Sequence, residues 1–285
     1  MIRATALGGV AVLLWSLLAL FTVGADPVPP LQLNALCFSI AAVAGAVWLS
    51  VTRTWYQLRG IPFAAYALGI GGLSGYHLLY FSALRAAPPA EAGLIAYLWP
   101  LLIVLFSGLV PGERLRLGHL AGAVMGFAGA TWLIGARLNG GMDALPGYIL
   151  ALACALTWSG YSVLSRRFKD VPTAAVTVFC GASAAISALA HIVIETPVWP
   201  ADMITWAAIV GLGLGPVGLA FFVWDIGVKR GNIQLLGVLS YAAPLLSTAI
   251  LIVAGLAEPT PALLVATLLI AGGALVAARA SAAAD

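Results

Sequence analysis

The sequence predicts an all-α integral membrane protein, and composition, apolar run length and charge distribution all support this class. Of its 285 residues, 62% are hydrophobic and 8% are charged, and the mean hydropathy is +1.07. Water-soluble domains are about 45–50% apolar and about 25% charged. The composition therefore excludes a soluble globular domain and makes the lipid bilayer the expected surroundings of the chain.

Apolar runs divide the chain into ten predicted transmembrane helices. They cover residues 4–23, 31–52, 62–85, 91–110, 118–136, 145–166, 173–194, 203–229, 233–254 and 261–280. About 20 residues suffice to cross about 30 Å of hydrocarbon. Strands of a membrane β-barrel would be about ten residues long and would alternate in hydrophobicity, whereas these runs are continuous. Because the first run is longer than the apolar core of a signal peptide, we expect it to be retained.

Positive charges predict how these helices are oriented. Of the 13 Lys and Arg, all but Arg85 and Arg137 lie on the face that carries both termini if there are ten spans. Cytoplasmic loops are enriched in Lys and Arg, so both termini are expected in the cytoplasm. Since these charges lie in loops on one side, the net charge of +3 does not indicate a nucleic-acid partner.

Metal, cofactor and enzyme chemistry are not indicated. Cys37, Cys154 and Cys180 lie inside apolar runs without C-x-x-C spacing, which favours packing over a disulfide or a zinc site. The three histidines fall in separate segments, and no acidic pair lies within the predicted spans. A membrane-embedded enzyme is therefore not expected, and we predict no metal and no cofactor. A channel is harder to exclude, although nothing resembles a selectivity filter.

An internal repeat divides the chain into two predicted units, residues 1–140 and 141–285. An offset of 144 pairs Tyr97-Leu98-Trp99-Pro100 with Tyr241-Ala242-Ala243-Pro244, Gly93 with Gly237 and Arg85 with Lys229, and an offset of 143 pairs Trp15-Ser16 with Trp158-Ser159. Each unit holds five predicted helices, and because five is odd the two copies must enter the membrane in opposite senses. Inverted repeats of this kind are typical of secondary transporters with alternating access.

Several motifs give the chain a family resemblance over nearly its whole length. They are Ser82-Ala83-Leu84-Arg85, Ile95-Ala96-Tyr97-Leu98-Trp99-Pro100 and the pair Glu113-Arg114. With the repeats, they resemble the drug/metabolite transporter superfamily in its ten-helix form with two EamA-type repeats. Within the superfamily the chain is most similar to the aromatic amino acid exporters, because it contains Tyr76-His77 and Tyr80 together with Tyr97-Leu98-Trp99-Pro100. The resemblance implies export of such amino acids across a bacterial inner membrane.

Three tryptophans lie near the middle of predicted spans and are candidates for contact with a substrate. Trp15, Trp99 and Trp158 belong to spans one, four and six, whereas Trp48, Trp55, Trp132, Trp199, Trp206 and Trp224 lie near span ends. Indole rings at mid-membrane depth are suited to stacking on a planar apolar side chain. For each ring, packing toward lipid is the alternative.

His77 and Tyr80 in span three are candidates for the polar part of the site. An imidazole within hydrocarbon must find partners in the protein or in a water-filled cavity. Tyr80 lies three residues after His77 and is therefore expected on the same helix face. A histidine bonded to a neighbouring helix for packing is the alternative.

Pro100 and Pro244 occupy equivalent repeat positions and are predicted hinges. Proline frees the carbonyl four residues earlier, here those of Ala96 and Ser240, so each helix is expected to be interrupted. Free backbone oxygens at membrane depth are tolerated where they meet protein, water or substrate. We therefore add Tyr97, Pro100, Ser240 and Tyr241 to the predicted substrate-binding residues. An ordinary kink used for packing is the alternative.

Charged residues near the span ends have structural interpretations. Asp225 lies one helical turn before Lys229, which predicts an ion pair at the cytoplasmic end. Glu91 is expected to pair at the opposite rim, next to Arg85. Glu113, Arg114 and Arg116 are interpreted as a cytoplasmic turn that forms either a solvated connection or a salt bridge on the gate side.

Together these observations predict a carrier that exports aromatic and large apolar amino acids, with methionine as a further candidate, by alternating access. Because His77 is the single titratable group placed at mid-depth, facilitated export is favoured over proton coupling. An exporter of drugs or other small metabolites, with proton coupling as an option, is the alternative. A monomer suffices for this mechanism, although the sequence does not define the oligomeric state.

Overall fold

A computed structural model describes residues 1–111, 113–134, 142–256, 258–259 and 261–282. Regular structure in these ranges is entirely helical, as the sequence predicts. Arg137 and the predicted repeat boundary at residues 140 and 141 lie outside the described residues.

Fourteen α-helices cover the described ranges. They are α1 (Ile2–Trp15), α2 (Leu18–Gly24), α3 (Pro30–Val51), α4 (Phe63–Ala86), α5 (Pro89–Ala96), α6 (Trp99–Ser107), α7 (Leu117–Ile134), α8 (Leu145–Leu164), α9 (Ala175–Ile194), α10 (Met203–Leu214), α11 (Ala220–Arg230), α12 (Ile233–Leu239), α13 (Ala242–Val253) and α14 (Pro261–Ala282). Each predicted span coincides with one helix, or with two consecutive helices. Three short 3₁₀ turns lie at Trp55–Leu58, Met142–Ala144 and Ser165–Phe168.

Within the described residues, seven segments are long and apolar enough to cross a membrane. They are Ile2–Gly24, Pro30–Val51, Met142–Phe168, Ala175–Ile194, Met203–Arg230, Ile233–Val253 and Leu263–Ala282. The segment Glu91–Ser107 is apolar but shorter. The chain is therefore a multi-pass membrane protein, and the count of ten spans stays a prediction.

Four of the predicted spans are interrupted. The break between α5 and α6 and the break between α12 and α13 lie just before Pro100 and Pro244, where the prolines remove a backbone donor. Two further breaks were not predicted. One divides α1 from α2 at Ser16 and Leu17, and the other is a π-helical turn, Gly215–Leu219, between α10 and α11.

Helices of the first half pack mainly against helices of the second half. The most extensive contacts join α7 with α14, α3 with α9, α4 with α8 and α1 with α11. Spans five and ten, which are equivalent in the repeat, are α7 and α14, and they run antiparallel because Gly118 faces Ala280 whereas Gly129 faces Ile270. This one pair of predicted repeat mates is therefore antiparallel in the bundle.

Close backbone approach explains why glycine occupies the centre of that helix pair. A Cβ atom on Gly122 would lie 2.5 Å from the carbonyl oxygen of Gly273, and one on Gly273 would lie 2.6 Å from that of Gly122. Both distances are far below van der Waals contact. Small residues therefore hold α7 against α14 by close packing, which is a main source of helix association in membranes.

The three cysteines are buried and form no disulfide, as predicted. Trp48, Trp55, Trp132 and Trp199 are exposed, in agreement with interfacial positions. Trp206 is partly buried and stacks on Trp199 at 6.4 Å between ring centroids. Trp224 is an exception and belongs to the centre of the molecule.

Candidate functional site

Four tryptophans from four helices meet at the centre of the bundle. Trp15 ends α1, Trp99 begins α6, Trp158 lies in α8 and Trp224 lies in α11. Every pair among them is in ring contact, with centroid distances from 4.9 Å for Trp15 and Trp224 to 6.4 Å for Trp158 and Trp224. The structure thus brings the three predicted tryptophans together with a fourth. We call this set the tryptophan cluster.

The tryptophan cluster is enclosed and its rings touch each other. Trp224, Trp158 and Trp99 are 0%, 3% and 6% exposed, and Trp15 is half-buried. Most of the ring pairs meet edge to face or at a tilt, the geometry that the quadrupoles of aromatic rings favour. The rings themselves occupy the space between the helices, so a planar ligand at this point must separate at least one pair.

Two of the four indole N–H groups are committed to the protein. Trp15 donates to the carbonyl oxygen of Pro216 at 3.1 Å, and Trp224 donates to the hydroxyl of Ser162 at 3.1 Å. The Pro216 carbonyl lies within the π-helical turn, where the regular backbone pairing is altered. Among the described residues, the indoles of Trp99 and Trp158 have no hydrogen-bond partner, so these two donors are available to a ligand.

The placement of Trp224 near a span end, with an interfacial role, is wrong. Its position six residues before the end of α11 indicated an interfacial ring, but the side chain turns inward and is fully buried. A signal for this lies in the repeat, because the offset of 144 pairs Trp224 with Tyr80 and Phe221 with His77. The repeat therefore places both Trp224 and Phe221 opposite residues already chosen for the site.

His77 lies beside the tryptophan cluster in an aromatic environment. Its ring contacts Phe38 at 5.1 Å, Tyr76 at 5.2 Å and Phe221 at 6.2 Å between centroids. Tyr76 and Phe221 in turn contact Trp158 at 5.3 and 5.7 Å. Nδ1 of His77 lies 2.8 Å from the carbonyl oxygen of Leu73, one turn earlier. Because that carbonyl can only accept, Nδ1 carries the proton and Nε2 is left as an acceptor.

Tyr80 and Tyr97 lie at the edge of this environment. Tyr80 stacks on Tyr76 at 6.0 Å between ring centroids, and His77 contacts Phe81 at 6.4 Å. Each ring therefore contacts the ring four residues away in α4, and the expected contact between His77 and Tyr80 is not formed. Tyr97 lies close to both Tyr76 and Tyr80. All three tyrosines are half-buried, and within the described residues their hydroxyl groups have no hydrogen-bond partner.

Tyr241 and Ser240 use their polar atoms for support of the backbone. The hydroxyl oxygen of Tyr241 accepts a hydrogen bond from the backbone N–H of Leu101 at 3.0 Å, and the side chain is fully buried. Ser240 donates to the carbonyl oxygen of Leu236, one turn earlier in its own helix, at 2.8 Å. Their predicted contact with a substrate stays a prediction, and in this conformation the Ser240 hydroxyl donates and the Tyr241 hydroxyl accepts within the protein.

The two predicted hinge prolines sit at the start of the helices that follow the breaks. Pro100 is buried where α6 crosses α12, and a Cβ atom on Gly237 would lie 3.0 Å from the carbonyl oxygen of Pro100. Pro244 is half-buried in α13. The breaks that they were expected to cause are present, and their role as hinges stays a prediction.

The predicted pair of Asp225 and Lys229 is confirmed, whereas Glu91 has a partner other than the neighbouring Arg85. Lys229 pairs with Asp225 at 2.8 Å, and the pair is buried, with Thr173 donating to the same carboxylate at 2.7 Å. Arg85 does not pair with Glu91, because its guanidinium lies 2.7 Å from Glu195 instead. Glu91 accepts a hydrogen bond from the hydroxyl of Tyr148. The part of the chain that the structure describes contains no cluster of three or more potential metal ligands.

Comparison with known proteins agrees with this architecture. The chain is 57% identical over 284 residues to "Aromatic amino acid exporter YddG" of Ancylobacter novellus, with 96% of each chain covered. It is 26% identical over 263 residues to the protein of the same name from Salmonella typhimurium, with 87% of each chain covered. A solved crystal structure, 55% identical in sequence, superposes with a TM-score of 0.94 over 99% of each chain. Residues 3–135 and 145–279 each match the EamA-like transporter family, and the chain belongs to that family.

Proposed function

We propose that this protein exports aromatic and large apolar amino acids, with methionine as a further candidate, across the bacterial inner membrane. The observation that carries the proposal is the tryptophan cluster, to which the first half of the chain contributes Trp15 and Trp99 and the second half contributes Trp158 and Trp224. A site built at the junction of two halves changes shape when the halves move. Proteins that match this chain bear the name of aromatic amino acid exporters.

In this proposal the tryptophan cluster binds the substrate side chain. Trp99 and Trp158 offer free indole N–H groups beside their faces, and an inserted ring would replace one of the existing ring contacts with a similar one. The separation of two rings is then compensated by contact with the ligand. Aliphatic side chains as large as that of methionine would fill the same space with weaker, less directional contacts.

The polar end of the amino acid is assigned to the neighbouring tyrosines and to His77. The hydroxyls of Tyr80 and Tyr97 can donate to the substrate carboxylate, and Nε2 of His77 can accept from its ammonium group. Tyr76, which connects these residues to Trp158, joins the proposed site although it was not among the predicted residues. These groups are uncharged, which suits a zwitterion whose net charge is zero.

Alternating access is supported by the packing of the two halves. We propose that residues 1–140 and 141–285 are five-helix repeats inverted in the membrane, because the equivalent helices α7 and α14 run antiparallel. The breaks at Tyr97–Leu98 and at Ser240–Tyr241 lie within one residue of matching repeat positions and would let each half bend there. The distribution of positive charges supports an orientation with both termini in the cytoplasm. Transport is proposed to be facilitative, driven by the substrate gradient.

Counterflow into proteoliposomes that contain the purified protein tests the proposed substrate. Vesicles loaded with unlabelled tryptophan, phenylalanine, methionine, glycine or lysine are diluted into labelled phenylalanine. Aromatic and methionine loads should drive accumulation, and glycine and lysine loads should not. Equal stimulation by all five would remove the aromatic assignment, and preferential stimulation by a lipophilic cation would favour a drug exporter. Uptake that follows an imposed pH gradient would contradict facilitated transport.

A further inference from the structure

A carboxylate at one end of the bundle joins the two halves of the chain. Glu113 follows α6 in the first half, and it accepts a hydrogen bond at Oε1 from the guanidinium of Arg166. Its other oxygen accepts from the side-chain amide of Gln234 at 3.0 Å. Both donors belong to the second half, at the end of α8 and at the start of α12. One side chain thus connects one element of the first half to two elements of the second.

Arg166 extends this connection to the end of α11. Its Nη1 donates to the carbonyl oxygens of Val228 at 2.8 Å and of Gly231 at 3.0 Å, while Nη2 contacts Glu113. The side chains of Arg166 and Glu113 are only 17% and 20% exposed. Separation of the halves at this end would leave two partly enclosed charges without partners until water enters.

A second carboxylate makes the reciprocal connection elsewhere. Glu195 follows α9 in the second half and accepts hydrogen bonds from the backbone N–H groups of Leu31 at 3.1 Å and Gln32 at 3.2 Å, at the start of α3. It also pairs with Arg85 of the first half at 2.7 Å and with His191 of its own helix at 3.0 Å. The Glu195 side chain is 4% exposed, whereas that of Arg85 is 47% exposed.

The two carboxylate contacts lie at opposite ends of the bundle. Arg166 precedes α9 and Glu195 follows it, and the 20 residues of α9 span about 30 Å. Glu113 belongs to the face with both termini, and Glu195 to the other face. In this conformation both contacts are formed, and each uses a carboxylate from one half and donors from the other.

We propose that Glu113 and Glu195 close the two gates of the carrier, so that release of Glu113 opens the face with the termini and release of Glu195 opens the opposite face. The proposal rests on the alternating access proposed above. A carrier that loses one closing contact populates the state open on that side, because the opposite contact is retained. The two carboxylates are thus gate residues that act through the position of the halves and do not touch the substrate.

Side-specific labelling of a central cysteine tests this proposal without any substrate. Ser16 is buried in the break beside Trp15, so Ser16→Cys, in a protein with Cys37, Cys154 and Cys180 changed to Ala, reports access to the centre. A membrane-impermeant thiol reagent is applied to membrane vesicles of each orientation, with a terminal tag to identify the sides. Glu113→Gln should raise the labelling rate from the terminal face, relative to the other face, by about tenfold. Glu195→Gln should shift the ratio in the opposite direction.

Glu258→Gln is the matched control, because this carboxylate is exposed and takes part in neither contact. If Glu113→Gln or Glu195→Gln fails to fold, Gln234→Ala and Arg85→Gln each weaken one contact and should give smaller shifts in the same directions. Unchanged ratios in folded variants, or shifts toward the same face, would overturn the proposal. Opposite shifts in a protein that does not transport aromatic amino acids would retain the gates and reject the proposed substrate.

Discussion

The two halves of the chain contain the same interrupted helix and use it differently. In the first half, Tyr97 is half-buried, its hydroxyl has no partner among the described residues, and Trp99 continues into the tryptophan cluster. In the second half, Tyr241 is fully buried and its hydroxyl supports the backbone of Leu101, while Ala243 occupies the position equivalent to Trp99. The two breaks thus share a backbone interruption but differ in the side chains around it, and in the proposed function this difference makes the binding site asymmetric.

The largest effect on transport is expected when the first half loses the indole ring of Trp99. Trp99→Ala removes contacts with three other indoles, and we expect the substrate concentration for half-maximal counterflow to rise by at least about tenfold, equivalent to about 1.4 kcal/mol. Trp199→Ala is the matched control, since that side chain is 64% exposed. Equal transport by the two variants would show that the asymmetry at the break has no role in substrate binding.

The free energy of unfolding should change most when Tyr241, at the break in the second half of the chain, is substituted. Tyr241→Phe leaves the N–H of Leu101 without its acceptor in a partly buried position, and an unsatisfied donor that is fully buried costs about 1–3 kcal/mol. We expect a lower melting temperature in detergent, with the substrate concentration for half-maximal counterflow unchanged. A variant that melts like the parent but transports poorly would place Tyr241 in the site, as the sequence predicted.

The matching substitution in the first half, at Tyr97, should change transport and leave the melting temperature unchanged. Tyr97→Phe removes a hydroxyl that has no partner among the described residues, so the melting temperature should be that of the parent protein. If this hydroxyl binds the substrate carboxylate, the substrate concentration for half-maximal counterflow should rise by about two- to tenfold. A fall in melting temperature without a change in transport would make the two breaks equivalent and remove the distinction between them.

The smallest expected effect concerns the helices that begin spans three and eight. Asp202 caps α10 and its pKa is lowered by hydrogen bonds from the backbone N–H and the hydroxyl of Thr205, whereas Pro62 at the start of α4 provides no side-chain cap. A lowered pKa means that the stabilisation is present at neutral pH and is lost as the pH falls below about 3.9 and through the lowered pKa. Asp202→Ala should therefore reduce the melting temperature slightly at pH 7 and by a smaller amount at pH 3. A pH-independent difference would assign the effect to packing.

Most of the helices could be predicted from the sequence because membrane insertion makes local composition decisive. The predicted runs agree with the observed helices to within a few residues, and both proline breaks lie where proline must remove a donor. The three central tryptophans were predicted from depth alone. Depth could not reveal which rings meet, because that depends on how each helix is rotated in the bundle.

Long-range polar contacts were beyond the reach of local patterns. Glu195 is separated from Leu31 by 164 residues and from Arg85 by 110 residues, so no spacing rule connects them. The sequence instead favoured Glu91 as the partner of Arg85, because the two are close in the chain. The pair of Asp225 and Lys229 could be predicted, because both residues lie on one helix at i, i+4 spacing. No such spacing applies to the contacts of Glu195 with Leu31 and Arg85, because these residues lie on different helices.

The π-helical turn at Gly215–Leu219 fixes the orientation of everything that follows it in span eight. An α-helix turns by about 100° per residue, so one additional residue in a wider turn changes the phase of all later side chains by about that angle. The turn needs Gly218, because a Cβ atom there would lie 2.4 Å from the carbonyl oxygen of Gly213. This single inserted residue sets the rotation of α11 about its axis. With that rotation, Trp224 points to the centre of the bundle and Asp225 points toward the end of the helix. The irregularity thus acts as an angular offset, and the inward orientation of Trp224 follows from it.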